Sequence, residues 1–238
     1  MERIDDLQLS GLRIIQDTEL FCFGMDAVLL SGFLKVKKGG RLLDMCSGNG
    51  IVALLASAKT EAARIDALEI NPKNTSLAER SVQLNGLKDR VFITCGDVRE
   101  AGDIYPPASF DVISCNPPYI PEGTGLTNPD DSKALARHEL KMDFTDLVRA
   151  AEKLLKPKCS LFLVHKAERL PELFIKLSTG RLEPKRLRIV CPYVTHEPAM
   201  VLIEAVKYGN PGMKAEPPLI IYEPDGTYSA EMREKYGY

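Results

Sequence analysis

The sequence predicts an α/β fold: a seven-stranded, mainly parallel sheet with helices on both faces. Two observations carry this. Short apolar runs alternate with longer segments whose apolar residues recur at helical spacing, the pattern of βαβ units. The loops after the first of these runs are small or acidic, as suits the carboxyl edge of such a sheet, where ligands bind. A chain of 238 residues buries roughly 70–75% of its unfolded surface, enough for a sheet covered on both sides.

The elements follow in order. Strands are expected at Arg41–Cys46, Arg64–Ile70, Arg90–Cys95, Phe110–Cys115, Cys159–His165, Leu187–Cys191 and Ala199–Val206, the last two as a hairpin. Helices are expected from Gly50 to Lys59, from Pro72 to about Gly86, from Asp143 to Leu155 and from Leu170 to Leu177. Pro72 suits a first helical position. In Asp143–Leu155 the apolar residues Phe144, Leu147, Val148, Ala151, Leu154 and Leu155 fall on one helical face. Residues 1–40 read as an N-terminal cap segment, 41–206 as the core of a single domain, and 207–238 as a tail rich in Pro, Gly and charge that lies over the surface.

Composition excludes several classes of protein. No apolar run reaches the ~18 residues of a membrane span, and the acidic start Met1–Asp6 is not the basic-then-apolar plan of a signal peptide. No C-x-x-C pair occurs among the six cysteines. They read as small buried hydrophobes in a reducing cytoplasm, and no grouping has metal-ligand spacing. A net charge of −2 is not that of a strong nucleic-acid binder, but a local basic patch remains compatible with one.

Four segments carry chemistry. Asp44-Met45-Cys46-Ser47-Gly48-Asn49-Gly50 follows the first core strand. Its small residues allow a sharp turn and close approach to a ligand, and the next helix points free N–H groups at it. Glu69 ends the second core strand, where a carboxylate can accept from two ribose hydroxyls. Asp97, followed by Val98, comes after the third and can accept from an adenine amino group. Asn116-Pro117-Pro118-Tyr119 ends the fourth. Its prolines fix φ and remove donors. The Asn116 side-chain oxygen and the Pro117 carbonyl can then take both hydrogens of an NH2 group and orient its lone pair. Tyr119 offers a face for ring stacking, about 1–3 kcal/mol for a base. The basic run Lys176, Arg181, Lys185, Arg186 and Arg188, and Lys133, Arg137 and Lys141 near the catalytic loop, can hold phosphates if they line the same edge. His165 and His196 read as structural, while His138 can equally order the catalytic loop or sit in a surface cluster. The Gly-, Asp- and Pro-rich stretch 123–132 reads as a mobile lid.

In this order the motifs resemble the class I S-adenosylmethionine methyltransferases, whose N/D-P-P-Y/F motif marks amino methylation. Phe23-Gly24-Met25-Asp26-Ala27-Val28-Leu29-Leu30, Ala136-Arg137-His138-Glu139, Pro198 to Ala205 and the tail from Leu219 are similar to the bacterial adenine-N6 methyltransferases that act on valine tRNA beside the anticodon. The resemblance implies a Rossmann-like fold, S-adenosyl-L-methionine as cofactor, a tRNA substrate (adenine 37) and no metal. By it, Asp44, Ser47, Gly48 and Gly50 line the methionine side of the cofactor. Glu69, with Ile70, holds the ribose, and Asp97 with Val98 the adenine. Phe23, Gly24 and Asp26 close over cofactor and base, and Asn116, Pro117 and Tyr119 are catalytic. Cys46 and Ser47 stand where many class I members have glycine, so a weaker constraint on that turn is expected. Alternatives stay open: methylation of another base in DNA or ribosomal RNA, of a release-factor glutamine, or a silent binding scaffold. The glutamine enzymes carry a helical domain before the glycine loop, for which the position of Asp44 is expected to leave no room.

Overall fold

The computed structural model describes residues 1–20, 22–118 and 142–236. Tyr119, the stretch 123–132, Lys133, Arg137, His138 and Lys141 lie outside the described residues.

The expected strands form one sheet: β3 (Arg41–Met45), β4 (Arg64–Glu69), β5 (Val91–Cys95), β6 (Phe110–Cys115), β7 (Leu155–Lys166), β8 (Leu182–Cys191) and β9 (Met200–Lys207). Their order is β8-β9-β7-β6-β3-β4-β5. All neighbours are parallel except β9, which runs antiparallel to both β7 and β8. The winding reverses between β3 and β6, the switch point at which such sheets bind ligands. Two further strands, β10 (Lys214–Ala215) and β11 (Leu219–Ile220), pair with β8, so nine strands are described rather than seven. Each is only two residues long, too short for a period-two pattern to reveal it.

Residues alternate between the faces of the sheet. Leu42, Ile65, Val112, Phe162 and Leu202 share one core with α1 (Met25–Phe33) and α2 (Ile51–Lys59). Leu43, Ile113, Leu161, Leu163 and Ile203 share the other with the helices Phe144–Leu154 and Leu170–Thr179. Helix α3 (Pro72–Leu84) starts where predicted: the Asn71 side chain accepts from the Lys73 N–H at 2.9 Å and Pro72 takes the first turn. A short helix, α4, covers Ala101–Ile104, so Phe144–Leu154 is α5 and Leu170–Thr179 is α6. A capping box between Asp143 and Asp146 begins α5.

The ends of the chain hold elements that periodicity missed. An antiparallel hairpin, β1 (Glu2–Asp6) and β2 (Arg13–Asp17), is anchored on α3. Ile15 N–H donates to Ser81 Oγ at 2.9 Å, and the Asn85 side chain bonds both the N–H and the C=O of Arg13. At the other end, α7 (Ala230–Tyr236) follows β11. Leu219, Ile221 and Met232 of the tail are buried in the core rather than spread over the surface.

Four cations of the basic run around β8 are engaged within the chain, while Arg181 is exposed. Arg186 is buried, pairs with Glu204 and Glu216, donates to the Phe33 carbonyl and lies 3.7 Å over the Phe33 ring. Arg188 pairs with Glu231 and donates to the Pro217 carbonyl. Lys185 bonds the Asn210 and Gly212 carbonyls, and Lys176 pairs with Asp143 and Glu172. These cations fasten the tail and α6; the spacing of Arg186 and Arg188 in sequence resembled a charged surface because Glu204, Glu216 and Glu231 lie far along the chain. Among the described residues no helix is long and apolar enough to cross a membrane.

Candidate active site

Strand register assembles the site. Met45 pairs with Leu68 on one side and Cys115 on the other, and Glu69 pairs with Cys95. The loops leaving β3, β4, β5 and β6 therefore emerge in a row, about 4.8 Å apart. Between them lies a cavity of about 410 Å³, within the range of small-molecule sites. Its wall contains Ser47 and Gly48, Glu69 and Ile70, Asp97 and Val98, and Asn116 and Pro117, with Phe23 and Asp26 from the segment before β3. Three other candidates stand behind the wall: Asp44 beneath the first loop, Gly50 at the start of α2 and Gly24 before α1.

The first loop turns through left-handed backbone at Cys46, Gly48 and Gly50, with φ of 58°, 56° and 82°. At Gly50 a Cβ would also meet the Ala78 Cβ at 3.0 Å. Cys46 adopts the same region with a side chain, at a cost of about 1–2 kcal/mol, so the departure from glycine there leaves the turn intact but strained. Glu69 ties the loop down: its Oε2 accepts from Gly48 N–H at 2.8 Å and its Oε1 from Asn71 N–H at 2.9 Å. Burial pushes the Glu69 carboxyl up, opposed by those N–H groups and by the Asn74 side chain.

Asp44 is fully buried. Its Oδ1 accepts from Ser114 Oγ at 2.8 Å, and its Oδ2 has no partner among the described residues. Burial pushes this carboxyl up to about 7, against the pull of the Ser114 hydroxyl. Ser47 Oγ and Asn74 Oδ1 are likewise buried without a partner, and both residues line the cavity. Unsatisfied buried polar atoms cost about 1–3 kcal/mol each, and Ser47 Oγ and Asn74 Oδ1 lie where a ligand or water in the cavity can satisfy them. Acceptors of this kind fit S-adenosylmethionine, with its hydroxyl-bearing ribose, amino groups and positive charge. Asp97 is engaged differently: it caps the turn Val98–Glu100 through Arg99 N–H at 2.8 Å and pairs with the Arg99 guanidinium.

On the far wall, Asn116 Nδ2 donates to Asp26 Oδ2 at 3.0 Å. Gln16 of β2 accepts from both Phe23 N–H (3.1 Å) and Asn49 Nδ2 (3.3 Å), joining the N-terminal hairpin to the first loop. Sequence reasoning missed Gln16, Asn49, Asn74 and Ser114. Asn49 and Ser114 left a signal: Asn49 sits within the small-residue loop itself, and Ser114 is a hydroxyl in a largely apolar strand. Of the histidines, His165 is buried against Phe144, its Nδ1 accepting from Lys166 N–H, and burial pushes it down to about 4. His196 stacks on Tyr193 in a turn. Among the described residues no cluster suits a metal ion.

The family model for the methyltransferase small domain matches residues 23–177. Curated relatives named tRNA1(Val) (adenine(37)-N6)-methyltransferase include one from Tolumonas auensis, 30% identical over 92% of this chain and 89% of its own. Another, from Dyadobacter fermentans, is 31% identical over 88% of this chain and 86% of its own. Among solved structures, an Agrobacterium tumefaciens protein described as a predicted O-methyltransferase superposes with a TM-score of 0.73 at 20% identity, covering 90% of this chain and 96% of that one. TYW2 from P. horikoshii superposes with a TM-score of 0.60 at 16% identity, covering 87% and 72%. At these identities the superpositions speak for the fold alone. The chain is a methyltransferase of the methyltransferase small domain family, with S-adenosylmethionine as its cofactor, and it belongs with the tRNA1(Val) (adenine(37)-N6)-methyltransferases.

Proposed function

We propose that the chain methylates the exocyclic N6 of an adenine in tRNA, namely adenine 37 of tRNA1(Val), in the cytoplasm. The observation that carries this is the position of Asn116 and Pro117: in the cavity wall, directly after a buried strand, and beside the loop that follows β3. When bound, S-adenosylmethionine supplies a methyl group already activated by a positively charged sulfur, so no strong base is needed. The work left to the chain is positioning. The Asn116 side-chain oxygen and the Pro117 carbonyl each accept one hydrogen of the amine, which turns its lone pair toward the cavity. That grip also favours the tetrahedral nitrogen formed as the new bond forms. Ser47, Glu69 and Asn74 hold the cofactor, Asp44 supports the loop from beneath, and Asp97 with Val98 flank the cofactor's adenine. Tyr119 stacks on the target base, which must be splayed from the anticodon loop to reach the site.

The choice of tRNA rests on the relatives' names at 30–31% identity over most of both chains. An unmodified tRNA1(Val) transcript incubated with enzyme and cofactor, then digested to nucleosides, should yield N6-methyladenosine, and a transcript with guanine at position 37 should yield none. Methylation of the guanine transcript at the same level would refute the assignment of the nucleotide.

A further inference from the structure

The sequence segment Phe23-Gly24-Met25-Asp26 lies about ninety residues before the catalytic loop, yet its aspartate touches Asn116 (sequence separation 90). Asp26 sits in the first turn of α1 and is buried. One carboxylate oxygen, Oδ1, accepts from its neighbour Ala27 N–H at 2.9 Å, and the other, Oδ2, accepts from Asn116 Nδ2 at 3.0 Å. Both oxygens are thus aimed by fixed donors. A side chain at position 24 would collide with this arrangement: a Cβ on Gly24 would stand 2.9 Å from Asp26 Oδ1. Gly24 therefore clears the space into which the carboxylate folds. Behind it, Gln16 holds the Phe23 N–H, which fixes the approach of the segment.

We infer that Asp26 is a positioning residue for methyl transfer, setting which end of the Asn116 amide faces the target amine. The inference rests on the proposed grip of the amine by Asn116. An amide can present either its oxygen or its NH2 group, and only the oxygen can accept from an amine. An ionised carboxylate is an acceptor only. With Asp26 on one side, turning the Asn116 amide over would set oxygen against carboxylate, so the NH2 group is kept on Asp26 and the oxygen on the opposite end. Segment and catalytic loop are then one device: the glycine makes room, the aspartate takes the NH2, and the asparagine presents oxygen.

The test compares Asp26→Ala, Asp26→Asn, Gly24→Ala, Asn116→Ala and the double variant Asp26→Ala/Asn116→Ala. Turnover, KM for the acceptor, cofactor affinity by calorimetry and the thermal midpoint are measured for each. Asp26→Ala should lower kcat by about 10- to 100-fold, the scale of a misplaced reacting group, with cofactor affinity essentially retained. Asp26→Asn has one oxygen for two donors, Ala27 N–H and Asn116 Nδ2, so its NH2 group lets the Asn116 amide turn over, and it should recover little of the loss although it is nearly isosteric. Gly24→Ala should behave like Asp26→Ala. In the Asn116→Ala background, removing Asp26 should cost nothing further, because residues acting through one another are not additive. A readout independent of turnover is the Asn116 side-chain 15N–1H pair, assigned by its absence in Asn116→Ala. One of its protons should lie downfield in the wild type and move upfield in Asp26→Ala. Should Asp26→Ala not fold, Asp26→Asn, Gly24→Ala and the wild-type resonance still decide. Unchanged kcat in Asp26→Ala, a loss of cofactor affinity that accounts for the whole effect, or full additivity with Asn116→Ala would each overturn the inference. All variants are assayed on whichever acceptor the wild type labels. Labelling of an acceptor other than tRNA would end the substrate reading and leave the Asp26 comparison intact.

Discussion

The N-terminal segment and the C-terminal tail pack at opposite ends of the strand order, and they do different things there. The N-terminal hairpin sits on α3, beside the β5 end; its Gln16 holds Phe23 and Asn49 of the cavity wall, and Asp26, just after it, holds Asn116. The tail adds β10 and β11 beside β8 and is fastened by ion pairs from Arg186 and Arg188 to Glu216 and Glu231. None of the described tail residues lines the cavity. The same need, to fix an appendage on a sheet, is met in one case by groups that also orient the site and in the other by strand pairing, buried apolar side chains and ion pairs that do not reach it. Changes in the two regions should therefore separate catalysis from stability.

The largest expected effect tests the tail. Arg186→Ala leaves Glu204 and Glu216 without their shared cation, and breaking a buried pair in this way costs about 3–5 kcal/mol. Chemical denaturation should show that loss, while calorimetry below the transition should find cofactor affinity unchanged. A large loss of affinity in the folded variant would mean the tail shapes the site as well. Next comes Asn116→Ala. Removal of one preorganised group at a reacting centre costs about 100- to 1,000-fold in kcat, here with cofactor binding and stability retained. Near-normal turnover would remove the amine grip. Glu69→Ala should follow, weakening cofactor binding by about 1.5–3 kcal/mol, the worth of hydrogen bonds to a charged group. It should also loosen Gly48, whose N–H the carboxylate holds; equal affinity in wild type and variant would exclude Glu69 as a ligand.

A further effect is one of pH, smallest in its reach to the cofactor. Asp44 is raised to about 7 by burial, from about 3.9 in the unfolded chain. A carboxyl raised on folding favours the folded state below its unfolded pKa, and that contribution is lost as pH rises through about 7. The cofactor-free wild type should thus lose stability between about pH 4 and pH 7 relative to Asp44→Asn. A positively charged ligand should bind the ionised form better. Cofactor affinity should then climb by up to about tenfold between about pH 6 and pH 8, a slope that Asp44→Asn should flatten. Parallel profiles for the two proteins would show that Asp44 does not couple to the cofactor.

Much of this site was legible in the sequence because a parallel sheet turns strand ends into neighbours. Once Arg41–Cys46, Arg64–Ile70, Arg90–Cys95 and Phe110–Cys115 read as strands, the small residues, Glu69, Asp97 and Asn116 had to share an edge. What escaped depended on contacts without period or motif. Gln16 lies in a strand whose charges hide its alternation, Glu2 to Asp6 and Arg13 to Asp17 being mostly polar. Asn74 looked like an ordinary residue in the first turn of α3, and only its buried, partnerless Oδ1 marks it. Arg186 and Arg188 looked like a phosphate-binding run because Glu216 and Glu231, about 30 and 43 residues away, carry no signal of pairing. Asp26 was placed over the cofactor and base by resemblance, and the hydrogen bond to Asn116 at 3.0 Å gives it a more specific partner.

The most direct measurement of the central claim uses S-adenosylmethionine labelled in its methyl group, offered to separated pools of tRNA, ribosomal RNA, DNA and protein from cells lacking this enzyme. Label should enter tRNA with the wild type and fall by about 100-fold or more with Asn116→Ala. Label that enters the protein pool alone, or tRNA labelling that Asn116→Ala leaves intact, would contradict it.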